Sequence, residues 1–211
     1  MNVRFSDAEF SKLKKLLPIY DWGLRTLLTK LSIIQEDLIN FQDSSSIEYI
    51  LSRIKAPESI AQKLYDMEMD VTADNAKACL KDIAGIRIIC PFARDIYFMA
   101  GLLRSMPDVN IVNEKDFVSR PKSSGYRSYH LIMEVPVFYS GKLEHVKVEV
   151  QIRTEAMNFW ATLEHKARYK YREHIPQHLS DELVMIADKI AELDNRMFTI
   201  HEIISEMNAE L

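Results

Sequence analysis

The 211-residue chain is predicted to be an α+β domain: a small mixed β-sheet flanked by long N- and C-terminal helices. Three observations predict this. Two apolar seams with alternating three- and four-residue spacing lie near the two ends, the mark of long amphipathic helices. Short alternating or continuous apolar runs fill the middle, the mark of strands. The length suits one domain or one domain with appendages. The division expected is a helical segment over 1–45, a core over 46–175 and a C-terminal helix over 176–211, the last an oligomerisation element.

The first seam runs Phe10, Leu13, Leu17, Tyr20, Leu24, Leu27, Leu31, Ile34, Leu38, Phe41. Ser6 and Glu9 ahead of it have capping-box spacing. Pro18 falls inside and predicts a kink or a split, because proline removes a helix hydrogen bond. Ser45 and Glu48 have the spacing of a second cap, and Pro57 suits the first turn of a further helix reaching about Asp66. In the middle, IAGIRIICPF (83–92) reads as a buried strand ended by Pro91, and 94–105 as a helix. Val109 to Phe117, Arg127 to Val135 and Leu143 to Ile152 read as strands. FYSGK (138–142) is a hairpin turn between the last two, and RPKSSGY (120–126) is a loop. Thr154 to about Tyr171 reads as one helix. The second seam follows from Leu179 through Leu183, Ile186, Ile190, Leu193, Met197, Ile200, Ile204 and Met207 to Leu211.

Composition narrows the function. The chain is 47% hydrophobic, enough for a core, yet no apolar run approaches the roughly 20 residues of a membrane span. The start, MNVRFSDAEF, lacks an apolar signal core, so the expected location is cytoplasmic. Cys79 and Cys90 form no CxxC pair, and the six histidines show no HExxH spacing, which argues against structural zinc. A formal net charge of −4 argues against a general nucleic-acid binder but allows a local basic pocket. Neither GxxxxGK[ST] nor GxGxxG occurs, so the common phosphate loops are absent.

Five stretches can carry chemistry. LSRIKAPES holds Arg53 and Lys55, with Lys63 beyond; an ordinary solvated helix is the plainer reading. In KDIAGIR, Asp82 stands before an apolar strand and Arg87 within it. A buried arginine needs a partner, and a guanidinium serves an ion pair, a phosphate or a base equally well. Asp82 suits either a helix terminus or a magnesium site. RPKSSGYRSYH interleaves Arg120, Lys122 and Arg127 with Tyr126, Tyr129 and His130, which suits either a nucleotide or a solvated hairpin with two core tyrosines. In HKARYKYREH, Lys166 with Lys170 and Arg168 with Arg172 have i,i+4 spacing, either a solvated face or an anion site. Last, HVKVEVQIRT (145–154) alternates apolar residues with His145, Lys147, Glu149, Gln151 and Arg153. That polar row is either a wet strand face or the floor of a site.

Taken together, SRIK (52–55), DIAGIRIIC (82–90), PKSSGYRSYHL (121–131), EVQIRT (149–154) and AMNFWATLEHKARYK (156–170) resemble a RelA/SpoT-type alarmone synthetase domain. The order matches over about 46–171. The flanking helices and the length are similar to the stand-alone small alarmone synthetases, in particular the RelP-like branch. Large bifunctional members carry a hydrolase domain with an adjacent His-Asp pair, and no His-Asp dipeptide occurs here, so no hydrolase activity is expected.

The resemblance implies a nucleotidyltransferase-like core that transfers pyrophosphate from ATP to the ribose 3′-hydroxyl of GDP or GTP, releasing AMP and forming ppGpp or pppGpp in the stringent response. It implies that Asp82 and Glu149 hold Mg²⁺, that Glu149 accepts the 3′-hydroxyl proton and that Gln151 assists. Arg53 and Arg87 sandwich adenine, and Lys55 and Lys63 hold the ATP phosphates. Tyr126 stacks on guanine, so that its π-face matters and its hydroxyl little. Asn158 contacts the guanine edge, and Lys122 and His130 face the acceptor phosphates. It also implies a homotetramer, which the sequence places at the terminal helices. There is one departure: Asp66 stands where relatives often carry a second basic residue after Lys63. The competing reading is a non-catalytic guanine nucleotide or RNA sensor on the same fold, with the 165–174 face the feature leaning towards RNA.

Overall fold

The structure is a computed structural model and describes residues 3–42, 46–171 and 176–209. In chain order the elements are α1 (Asp7–Gln42), β1 (Tyr49–Ile54), α2 (Pro57–Asp66), α3 (Ala73–Cys79), β2 (Ala84–Cys90), α4 (Ala93–Arg104), β3 (Asn110–Asp116), β4 (Tyr129–Tyr139), β5 (Lys142–Thr154), α5 (Glu155–Tyr171) and α6 (Gln177–Ala209). The five strands form one sheet in the order β1-β2-β5-β4-β3. Only β2 and β5 pair in parallel; the other neighbours are antiparallel. The sheet is therefore mixed, as the sequence predicts.

The apolar side of β5 (Val146, Val148, Val150, Ile152) and the facing residues of β4 (Leu131, Met133, Val135) are fully or nearly fully buried. The α1 seam packs on them, with Leu13, Tyr20, Leu24, Leu27, Leu31 and Leu38 all buried in the same cluster. This packing explains why, of the two outcomes expected at Pro18, a split does not occur. Pro18 lies inside α1 but does not split it. The proline costs one hydrogen bond, and the buried seam on both sides of it holds the helix, since most helical stability in proteins comes from such packing. Phe41, the last position of the seam, lies beyond the sheet and is 82% exposed. The helix crosses the β4–β5 hairpin at Gly23, where a Cβ would meet Val146 Cγ2 at 2.1 Å.

The N-terminal cap is half as expected. The Glu9 N–H donates to Ser6 Oγ at 3.3 Å. The Glu9 carboxylate, however, reaches across to accept the Ala73 N–H at 2.8 Å, and so holds the start of α3. That seven-residue helix was not read from the sequence, being too short to show a period. Residues 49–54, expected to follow a second cap, form β1 instead: Glu48 N–H donates to Ile89 O at 2.8 Å and begins the ladder. Ser45 lies outside the described residues. Pro57 does open α2, at its first turn. At the hairpin, Ser140 and Gly141 have φ of 49° and 76°, the paired left-handed residues of a two-residue turn that suits twisted strands. Among the described residues no helix is long and apolar enough to cross a membrane.

The Gly23 crossing is testable. Gly23→Leu adds a good helix former, so propensity alone favours it. Overpacking against Val146 should nevertheless lower stability by about 1–3 kcal/mol, measured as a shift in urea midpoint with unchanged slope. Unchanged or increased stability would show that α1 does not sit tightly on the hairpin.

Candidate active site

The parallel β2–β5 pair sets the floor of a cleft. Its register places Gly85 beside Glu149, Arg87 beside Gln151 and Ile89 beside Arg153. On the far side of β2, Arg53 of β1 pairs with Gly85. Since side chains alternate across a strand, Arg87, Glu149 and Gln151 rise from one face. They line a cleft of about 310 Å³ together with Arg53 and Asp82. His145 and Lys147, from the start of the same row, do not line it; His145 is exposed.

Asp82 sits just before β2. Its Oδ2 takes ion pairs from Lys55 Nζ at 2.5 Å and Lys63 Nζ at 2.7 Å. Lys55 follows β1 and Lys63 is in α2, so the two lysines meet without sharing a helix face. The other oxygen, Oδ1, is buried without a hydrogen-bond partner. Burial pushes the Asp82 carboxyl up, but the two ammonium groups outweigh it and hold the group below the usual carboxylate range. Asp66 faces outward at the end of α2, accepting from Gln62 at 2.8 Å.

Glu149 is similarly held. Burial raises its pKa, but the hydrogen bond from His130 and a smaller one from Gln151 bring the net shift downward, against the nearby Asp82. His130 Nδ1 lies 3.3 Å from Oε1, and Gln151 Nε2 donates to Oε2 at 3.0 Å. Both carboxyls are therefore ionised near neutral pH and face one cleft.

Beside it stands the 120–130 segment. Gly125 takes φ +86°, and a Cβ there would lie 2.7 Å from Ala187 Cβ of α6, so only glycine fits this turn. The Lys122 ammonium lies over the rings of Phe117 and Tyr126, at 4.8 and 4.9 Å. The Tyr126 hydroxyl, expected to have little to do, is engaged twice: with His130 Nε2 at 2.8 Å and with Arg153 Nη2 at 2.5 Å. Arg127 turns away to Val118 O and to Asp188 of α6. Asn158 of α5 accepts from Arg87 Nη1 at 3.1 Å, which places it on the Arg87 side of the cleft.

The sequence-predicted residues thus form three linked groups. Arg53, Asp82, Arg87, Glu149 and Gln151 line the cleft, with Asn158 bonded to Arg87. Lys55 and Lys63 are tied to Asp82. Lys122, Tyr126 and His130 join through His130 to Glu149. Arg153 has no role in the family pattern set out above, although its place on the polar row marks it. Tyr49, whose hydroxyl donates to Glu155 at 2.7 Å and accepts from Asn158 at 3.4 Å, carried no such signal. In the basic 165–174 stretch, Arg168, Lys170 and Arg172 fall outside the described side chains.

The region found in RelA / SpoT proteins matches residues 52–174, more than half the chain. The chain belongs to the RelA/SpoT family. Every residue assigned a role above lies inside the matched region. GTP pyrophosphokinase YwaC of Bacillus subtilis (strain 168) is 43% identical over 187 residues, 89% of each chain. GTP pyrophosphokinase YjbM of the same organism is 35% identical over 196 residues, 93% of this chain and 92% of that one. Among solved structures, small alarmone synthetase 1 from Bacillus subtilis bound to its product pppGpp superposes with a TM-score of 0.86 at 34% identity, covering 92% of this chain and 99% of that one. Small alarmone synthetase 2 from that organism does so at 0.81 and 42%, covering 90% and 97%. The mixed sheet and its flanking helices are therefore the family's architecture.

The Asp82 site predicts a pH dependence. A carboxyl whose folded pKa is depressed stabilises the protein above its unfolded pKa, about 3.9. That contribution is lost as pH falls through the lower folded value. Asp82→Asn should therefore cost about 1–3 kcal/mol at pH 7, and the cost should shrink as pH drops below about 4. Denaturant titrations of both proteins across pH 3–7 test this; a cost independent of pH would refute the ion-pair account.

Proposed function

We infer that this chain is a GTP/GDP pyrophosphokinase. It transfers the β,γ-pyrophosphoryl group of ATP to the ribose 3′-oxygen of GDP or GTP. The bond from the ATP β-phosphorus to the α–β bridging oxygen breaks, AMP leaves, and a bond from that phosphorus to the 3′-oxygen forms. The product is ppGpp or pppGpp, the alarmone of the stringent response. The observation that carries the reading is the pair of ionised carboxylates, Asp82 and Glu149, facing one cleft between a cationic side and an aromatic one. A mere nucleotide sensor gains nothing from two carboxylates aimed at a polyphosphate, whereas a metal-assisted transfer needs them.

The site fits Mg²⁺. The Asp82 Oδ1 is a buried oxygen without a partner, and Glu149 receives one N–H donor on each oxygen, leaving lone pairs free. Magnesium takes few protein carboxylates, since phosphates and water complete its octahedron. When bound, it would neutralise charge on the phosphates and offset the repulsion between nucleophile and donor. Asp82 and Glu149 would hold it. Lys55 and Lys63, now on Asp82, would also reach the ATP phosphates, and Arg53 and Arg87 would clasp adenine. Tyr126 would carry guanine, Asn158 would meet the guanine edge, and Lys122 and His130 would meet the acceptor phosphates. Glu149 takes the proton of the 3′-hydroxyl, and Gln151 orients Glu149. Most of the rate then comes from positioning and charge neutralisation.

Assembly is part of the reading. On α6, Leu183 and Ile190 pack towards Trp160, but beyond them Leu193, Met197, Ile200, Ile204 and Met207 remain at least half exposed. Such an apolar stripe suits a second copy of the chain. We place a homotetramer on the terminal helices, with the core over 46–175 and the C-terminal helix from 176 as its assembly element, working in the cytoplasm.

Two experiments test these statements. With labelled γ-phosphate on ATP, plus GDP and Mg²⁺, label should appear on the guanosine product, and folded Glu149→Gln should be at least about a hundredfold slower. Label found only in free phosphate or pyrophosphate would refute the reaction. Light scattering at micromolar concentration should give four times the 24.6 kDa chain mass; a monomer would refute the assembly.

A further inference from the structure

Arg153 stands on the polar row of β5, two residues beyond Gln151, and is only 4% exposed. A buried guanidinium is costly unless its donors are satisfied, and its partners here are neutral groups. Nη2 donates to the Tyr126 hydroxyl at 2.5 Å and to Gln151 Oε1 at 2.8 Å. Nε donates to Ser128 Oγ at 3.3 Å, and Ser128, itself buried, donates to Ile152 O. The guanidinium carbon lies 5.0 Å from the centre of the Tyr126 ring. One side chain thus touches the catalytic strand and the guanine platform together.

The chemistry of the donors gives the network a direction. Arginine only donates. The Tyr126 oxygen therefore accepts from Arg153, and its own O–H is left for His130 Nε2 at 2.8 Å. An imidazole that accepts at Nε2 carries its hydrogen on Nδ1, which faces Glu149 Oε1 at 3.3 Å. On the other arm, Gln151 Oε1 faces Arg153, which turns the amide nitrogen to Glu149 Oε2 at 3.0 Å. Two arms leave one guanidinium and close on the two oxygens of one carboxylate.

We propose that Arg153 is a positioning residue for the transfer: by holding the Tyr126 hydroxyl and the Gln151 carbonyl oxygen at once, it fixes the guanine platform relative to the Glu149 carboxylate. The proposal rests on the roles given above to Glu149 and Tyr126. Its consequence is that the acceptor 3′-hydroxyl and its base are registered by a group that touches neither. Transfer reactions are sensitive to such registration, since small misplacements of the reacting atoms cost large factors in rate. Lysine keeps the charge, but its one nitrogen ends a bond short of the Nη2 that makes both contacts and cannot also replace the Nε donor to Ser128, so it does not reproduce the set of bonds.

Arg153→Lys, Tyr126→Phe and the double variant separate this role from a structural one, with kcat, KM for GDP, KM for ATP and Tm measured for each. Arg153→Lys should lower kcat about 10- to 100-fold, the scale of losing a charged hydrogen bond, with KM for ATP within about twofold of wild type. Tyr126→Phe should lower kcat by about threefold to tenfold at an unchanged Tm, the scale of one neutral hydrogen bond. The double variant should be about as slow as Arg153→Lys alone, with no further loss on the scale of Tyr126→Phe by itself, because both changes break the same arm. A folded Arg153→Lys with wild-type kcat overturns the proposal. So do effects that multiply in the double variant, or a lowered Tm with both KM values raised alike and kcat unchanged. If Arg153→Lys does not fold, Tyr126→Phe decides: wild-type kcat in that variant overturns the proposal. A wild-type protein that labels no guanosine product is a different failure, that of the pyrophosphokinase reading itself.

Discussion

The parallel pairing of β2 with β5 is the constraint on which the rest of the molecule depends. It sets Arg87 beside Gln151 and Gly85 beside Glu149. With Asp82 two residues ahead of β2, four side chains from two distant parts of the chain, Asp82 and Arg87 with Glu149 and Gln151, open into one cleft. Parallel neighbours cannot be joined by a tight turn, so the chain runs through α4, β3 and β4 before β5 arrives. That detour delivers His130 and Tyr126 to the edge of the same floor, because β4 returns antiparallel with His130 opposite Gln151. A slip of one residue in this register would send Glu149 into the core and Val150 into the cleft. The buried faces of β4 and β5 under α1 make that slip costly.

Charge is distributed with the same economy. The chain is net negative, yet the cleft gathers Lys55, Lys63, Arg53 and Arg87, with Arg153 beneath. Asp82 is shared by two lysines. Burial pushes the Arg87 pKa down from the usual guanidinium value, and the neighbouring Arg153 and Arg53 push the same way. Packing like charges together is unfavourable in the free protein and is relieved by an anion. A polyphosphate is the ligand such an arrangement suits, and in the proposed function the two ionised carboxylates would hold a divalent metal beside it.

The helix α6 has two faces with different roles. Its first half is fastened to the site by polar contacts that a plain heptad pattern does not announce: Trp160 Nε1 donates to Leu183 O at 3.0 Å, Arg127 donates to Asp188 at 3.0 Å, and Thr154 Oγ1 donates to Asp194 at 2.6 Å. Ala187 closes against Gly125. These hold the loop that carries Lys122 and Tyr126. The second half packs Phe198 against Phe92 and Arg94 but leaves Leu193, Met197, Ile200, Ile204 and Met207 open. The two seams looked alike as patterns, but α1 buries its stripe on the sheet and α6 buries only the start of its own.

The sequence by itself determined the mixed α+β class, the order of the elements other than β1 and α3, and the alternating polar row of β5, because side-chain period and residue type act locally. Glu149 and Gln151 were legible from alternation, while their family roles came from the joint match of five motifs. What only the tertiary structure decided depends on distance across the fold. Pro18 stays within one helix because a sheet supports the seam on both sides. Residues 49–54 became a strand because β2 offered an edge, which outweighed the local cap signal of Glu48. Lys55 and Lys63 meet on Asp82 from separate elements, although no helix joins them. Arg153 is buried and binds Tyr126 and Gln151 together, a fact invisible in a list of residues because it arises where β4, β5 and the 120–130 loop converge.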